Sequence, residues 1–137
     1  MSRYRILSHT ADTGIVAVGA TLEEVFENAA FGMFDLMFDL SLVPPEEECH
    51  VEVEGDDPAE LLVAWLSALL TEADIRGLAF CRFRLEGLRS CCLSGGAAGS
   101  AAARLILRGP PIKAVTYHGL AVEETPEGWA ARVIFDV

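Results

Sequence analysis

Two helix-start signatures, Thr21-Leu22-Glu23-Glu24 and Asp57-Pro58-Ala59-Glu60, constrain what this chain can fold into more than any other feature. In each, a small polar residue able to accept a hydrogen bond from a first-turn amide is followed three residues later by Glu, so the backbone donors that open a helix are satisfied locally. The second also carries Pro in the first turn, where its missing N–H costs nothing. Apolar residues then recur at helical spacing: Leu22, Val25, Phe26, Ala29, Ala30, Met33 and Met37 after the first signature, Leu61, Leu62, Trp65, Leu66, Leu69 and Leu70 after the second. The spacing predicts helices over 21–38 and from 57 to a stop at Arg76-Gly77, where Gly admits a left-handed cap.

Elsewhere the period is two. Tyr4 to Leu7 and Ile15 to Val18 read as short strands around a His-Thr-Ala-Asp-Thr-Gly loop, and His50-Val51-Glu52-Val53-Glu54 alternates strictly, as a strand with one wet face does. In the second half Cys81, Phe83 and Leu85 alternate with Arg82, Arg84 and Glu86, and Leu105 and Leu107 alternate with Arg104, Ile106 and Arg108. Lys113 to His118, Leu120 to Glu123 and Trp129 to Phe135 add three strands, the last two joined across Pro126-Glu127-Gly128. Between them Ser94-Gly95-Gly96-Ala97-Ala98-Gly99-Ser100 reads as a mobile surface connection, because Gly-rich backbone is entropically costly to fix. These elements imply one α+β domain spanning 1–137, a two-layer arrangement with two main helices packed on a largely antiparallel sheet.

Composition excludes several classes. With 52% apolar residues and a mean hydropathy of +0.35 the chain is too apolar to stay disordered. It has no run of about 18 apolar residues and no secretion-signal segment, so no membrane partner is expected and the cytoplasm is the default location. A net charge of -11, from 21 acidic and 10 basic residues, repels a phosphate backbone; no direct nucleic-acid binding is expected, and a cation or a basic protein surface suits the field better. Cys49, Cys81, Cys91 and Cys92 have no zinc or C-x-x-C spacing and read as reduced thiols.

Two carboxylates stand out. Asp12 lies two residues before Gly14, where an Asx-turn role and a ligand role both fit. Asp136 falls within the apolar run Val133-Ile134-Phe135-Asp136-Val137, and a buried or half-buried carboxylate there needs a cation or a dense set of donors. Brought to about 4 Å at an effective dielectric near 20, the two would repel by about 4 kcal/mol, a sign that a divalent ion reverses. With the terminal carboxylate of Val137 as a third oxygen donor, Ca²⁺ is favoured, with Mg²⁺ or Mn²⁺ as alternatives, over zinc. A phosphate-binding Gly-Lys loop, a nucleophile elbow and a His-Glu-x-x-His pair are all missing, which sets metal-dependent hydrolysis last among the functions and assigns no catalytic residue.

The segments HTADTGIVAVGATLEEVFENAAFGMFDLMFD (9–39), GDDPAELLVAWLSALL (55–70), IKAVTYHGLAV (112–122) and WAARVIFDV (129–137) together resemble the archease family, in the same order from end to end. The resemblance implies a small cytoplasmic α+β protein that is no enzyme itself but a cofactor of the GTP-dependent RNA ligase of tRNA splicing, promoting its guanylylation and multiple turnover. It implies metal ligands at Asp12, Asp136 and Val137, and a functional surface that takes in His9, Asp39, Lys113 and His118. Two departures imply weaker cation affinity here: SGGAAGSAAARL stands where the family carries an acidic loop, and Ser67-Ala68 where an Asn-Glu pair is typical. A general chaperone or protein-interaction module is the alternative.

Overall fold

A computed structural model describes residues 3–7 and 13–137, apart from the Arg104 side chain. Both cap signatures work as their chemistry demands. Thr21 Oγ1 accepts from Glu24 N at 3.1 Å and starts helix α1, Leu22–Met37. Asp57 Oδ1 accepts from Glu60 N at 2.9 Å and starts α2, Pro58–Arg76, which ends on Gly77 at φ 65°. Their apolar stripes are buried, and Trp65 of α2 donates its indole N–H to Phe26 O of α1 at 3.0 Å, which satisfies the one polar atom this large core ring carries.

The fold is α+β, with the two helices packed on antiparallel sheets. The expected single sheet is in fact two. Strands β1 (Tyr4–Ile6), β2 (Thr13–Gly19), β7 (Gly128–Asp136) and β6 (Ala114–Thr125) form one in the order β1-β2-β7-β6. Strands β3 (Glu47–Glu54), β5 (Cys92–Ala101) and β4 (Leu78–Leu88) form the other in the order β3-β5-β4. Each helix touches both: α1 packs on β2 and β4, α2 on β3 and β6.

Three strand expectations need correction. The small-residue segment 94–100 is no surface connection but most of β5, the central strand of its sheet, and much of it is buried. Close approach is the reason: a Cβ at Gly99 would run into the Ala79 carbonyl oxygen, and one at Gly95 would lie 2.9 Å from the Trp65 ring. Segment 104–108 is no strand. A 3-10 turn at Ala102–Arg104 breaks the chain and only Leu107 bridges, to Phe38, while Ile106 is 89% exposed, so the alternation there had no sheet face to bury. The strands foreseen at 113–118 and 120–123 are one, β6, interrupted by a bulge between Thr116 and Ala121.

Among the described residues no helix is long and apolar enough to cross a membrane. All four cysteines are free; Cys49 is buried, and burial pushes its thiol pKa up.

Candidate functional site at the end of the four-stranded sheet

The register of β2 with β7 builds this region. Thr13 is the Cα partner of Phe135 and Gly14 of Ile134, while on the other side Ala114 of β6 is the partner of Asp136. Val133, Ile134 and Phe135 of β7 are all buried, the first and last on the inward side, and Asp136, on the outward side past Ile134, is exposed. Asp136 is therefore exposed at the strand end, which corrects the expectation of a buried or half-buried carboxylate. Its desolvation no longer argues for a partner; its openness to a ligand does.

Lys113 is exposed and meets Asp136 through the backbone, its N–H donating to Asp136 O at 2.7 Å. Among the described residues neither the Asp136 carboxylate nor the Lys113 ammonium forms an ion pair. Val137 follows, 43% exposed. His118 is exposed as well, carried on the β6 bulge, and its N–H donates to Thr116 Oγ1 at 3.3 Å. His9 and Asp12 lie outside the described residues.

Asp39 has other work. It caps the 3-10 turn Leu40–Leu42, accepting from the Ser41 hydroxyl at 2.6 Å and the Ser41 amide at 3.1 Å, and Arg108 Nη2 stands 3.1 Å from the same oxygen. The two Ser41 bonds first, and Arg108 after them, hold the Asp39 carboxyl below the usual carboxylate range. Arg108 also reaches Asp35 Oδ1 at 3.2 Å, while Tyr4 donates its hydroxyl to Asp35 Oδ2 at 2.8 Å. Sequence reading missed Arg108 as the cation that neutralises this pair. No local signal marks it, because 73 residues separate Arg108 from Asp35.

The exposed Asp136 carboxylate is a hard oxygen donor of the type that Ca²⁺, Mg²⁺ and Mn²⁺ take. Among the described residues no three His, Cys, Asp or Glu side chains are grouped to hold a metal ion.

The sequence profile of the archease protein family (MTH1598/TM1083) matches residues 4–137. Protein archease of Methanothermobacter thermautotrophicus is 38% identical over 143 residues, with both chains covered completely. Its counterpart in Methanosarcina acetivorans is 36% identical over 146 residues, covering 98% of this chain and 96% of its own. The solution structure of Methanobacterium thermoautotrophicum protein 1598 superposes with a TM-score of 0.82 at 36% identity, covering both chains completely. A crystal structure from Thermotoga maritima, described as an archease and possible chaperone, superposes with a TM-score of 0.64 at 22% identity over 96% of this chain and 94% of its own.

Proposed function

Because this chain belongs to the archease family, we propose that it is a protein cofactor of the GTP-dependent tRNA-splicing RNA ligase, raising ligase guanylylation and turnover in the cytoplasm through a cation-binding acidic tip. The observation that carries the reading is the strand register. Thr13, covalently next to Asp12, is paired with Phe135, covalently next to Asp136. Asp12 and Asp136, with Val137 beside them, would supply the oxygens for one Ca²⁺, or for Mg²⁺ or Mn²⁺. When bound, the ion offsets the repulsion between carboxylates and supplies a positive centre for a nucleotide phosphate on the partner. Asp136 would orient the tip at the exposed strand end. Lys113, held to it through the backbone, would add a positive side chain at the same edge, with His118 further along β6 and His9, three residues before Asp12 in the sequence, as a further candidate.

The test measures guanylylation of the ligase with substoichiometric protein and with the single variants Asp12→Ala and Asp136→Ala. Expected is a loss of stimulation of about 10- to 100-fold, the scale on which removing the groups that support a metal site acts, with an unchanged thermal melt for Asp136→Ala because Asp136 is exposed. Stimulation that survives both substitutions would remove the site assignment.

A second reading, a general chaperone, is favoured by the side chains of Leu42, Ile75, Ile106 and Leu107, which are half or more exposed. It predicts suppression of aggregation of unrelated proteins that is indifferent to Asp12.

A further inference from the structure

Antiparallel sheets that cover a core on one side turn a polar face to water on the other. The four-stranded sheet does not follow this pattern. Its inward rows, through Ile15, Ala17, Val133 and Phe135, are closed off from solvent beneath the helices. Its outward rows run Arg5, Val16, Arg132, Ala121 and, one step along, Val18, Ala130, Glu123. Val16 and Val18 are partly exposed on it.

We propose that this outward face is a protein-docking surface, and that its occupant is an apolar patch with an acidic rim on the ligase; the proposal rests on the reading above that the ligase is the partner. Charge identifies the occupant. Arg5 and Arg132 straddle Val16, both exposed, and among the described residues neither side chain makes an ion pair or hydrogen bond. Two unneutralised guanidinium groups around an apolar centre, in a chain of net charge -11, select a partner with carboxylates at its rim. A second copy of this chain would set arginine against arginine and -11 against -11. An RNA backbone would use the arginines, but it would leave the valines without a counterpart and would meet the repulsion of the whole molecule.

The bulge in β6 supplies an anchor. Between the pairs Thr116–Ile134 and Ala121–Arg132, four residues of β6 face the single residue Val133 of β7. Thr116 Oγ1 pins the bulge by donating to Ile134 O at 3.1 Å and accepting from His118 N, and Gly119 turns at φ 64°. A Cβ at Gly119 would lie 3.6 Å from Arg132 and 3.8 Å from Ile134, both on outward rows, so the bulge lies against this face. It leaves Tyr117 66% exposed. Tyr and Arg dominate the energetic centres of interfaces, and a rigidly mounted Tyr loses little freedom on binding. Asp136 is on an outward row too, so docking here would carry the acidic tip to the partner.

Affinity of the full chain for the purified ligase, measured by calorimetry, tests the proposal on Arg132→Glu and Tyr117→Ala, with Tyr117→Phe to retain the ring and Arg84→Glu on the other sheet as a matched charge reversal. Each of the first two should weaken binding by about tenfold or more and raise the concentration needed for half-maximal guanylylation, while stimulation at saturation persists and thermal melts stay unchanged. Tyr117→Phe and Arg84→Glu should remain within about twofold. Wild-type affinity in Arg132→Glu and Tyr117→Ala would overturn the docking face and leave the cofactor reading standing. A loss in Arg84→Glu equal to that in Arg132→Glu would reduce the effect to unspecific charge and also overturn it. Competition by a short RNA, or a dimer that Arg132→Glu dissolves, would overturn it in favour of those occupants. If the wild-type chain neither binds nor stimulates the ligase, both readings fall together.

Discussion

The two sheets share the same helices and finish their outer faces in opposite ways. On the three-stranded sheet Glu48, His50 and Glu52 of β3 face Arg82, Arg84 and Glu86 of β4 across a central strand that offers only Ser94, Gly96 and Ala98. His50 Nδ1 comes within 3.2 Å of Glu86 Oε1 over that bare strand. The four-stranded sheet puts Val16 and Val18 on its outer face, and among the described residues Arg5 and Arg132 there form no ion pair. A face on which charges of both signs flank a small-residue strand is complete in solvent, whereas an apolar centre flanked by two arginines is the kind of face a partner completes. The inner sides differ as well. The three-stranded sheet draws a helix close by giving up side chains along β5, while the four-stranded sheet fills its interior with Ile15, Val133 and Phe135.

The contrast breaks most sharply at glycine. Gly99→Ala should destabilise the protein by about 3 kcal/mol in urea unfolding, because the new methyl meets backbone that cannot move aside. Gly119→Ala in the β6 bulge would put its methyl in ordinary van der Waals contact with Arg132 and Ile134 and needs a left-handed backbone, at about 1 kcal/mol. Equal losses would show that β5 does not demand its small residues.

A pH series sharpens the comparison at β1, the edge of the four-stranded sheet. Burial of Tyr4, then its hydrogen bond to Asp35 and the negative charge there, pushes the phenol from 10.0 up to about 12, with Arg108 opposing. The folded state holds that proton more tightly than the unfolded chain. The resulting stability is complete below pH 10 and is lost as pH rises from 10 towards about 12. Tyr4→Phe should lack this loss, so the gap in denaturation midpoint between it and the wild type should narrow over that interval. A gap that stays constant would show that the Tyr4–Asp35 bond does not discriminate folded from unfolded protein.

The smallest effect belongs to the wet face. His50→Ala should change stability by about 0.5 kcal/mol or less, since an exposed pair gains little over its hydration. A larger loss in thermal unfolding would make the charge lattice of the three-stranded sheet structural.

The helices were legible in the sequence because their causes are local: Thr21, Asp57 and Pro58 act within one turn, Gly77 at one dihedral, and the apolar stripes repeat over one surface. The turn at Pro126 to Gly128 and the outer strands were legible for the same reason. Strand β5 was not, because a run of Gly, Ala and Ser carries no β signal of its own and is selected by the Ala79 backbone and the Trp65 ring, both distant in sequence. At the candidate site, residue types pointed to Asp136, but its exposure came from the register of β7 between two strands. Asp39, placed on the functional surface by the resemblance, is instead neutralised by Arg108, brought from the far half of the chain.

By itself, then, the sequence determined where the helices begin and end, the α+β class and the acidic chemistry available at the chain's end, since each follows from neighbours within a few residues. Only the tertiary structure decided that the strands divide into two sheets, that glycines form a buried centre, and that Arg5, Val16 and Arg132 share one face. Those outcomes depend on which distant segments approach each other closely enough to exclude water and side chains, a condition that no local pattern encodes.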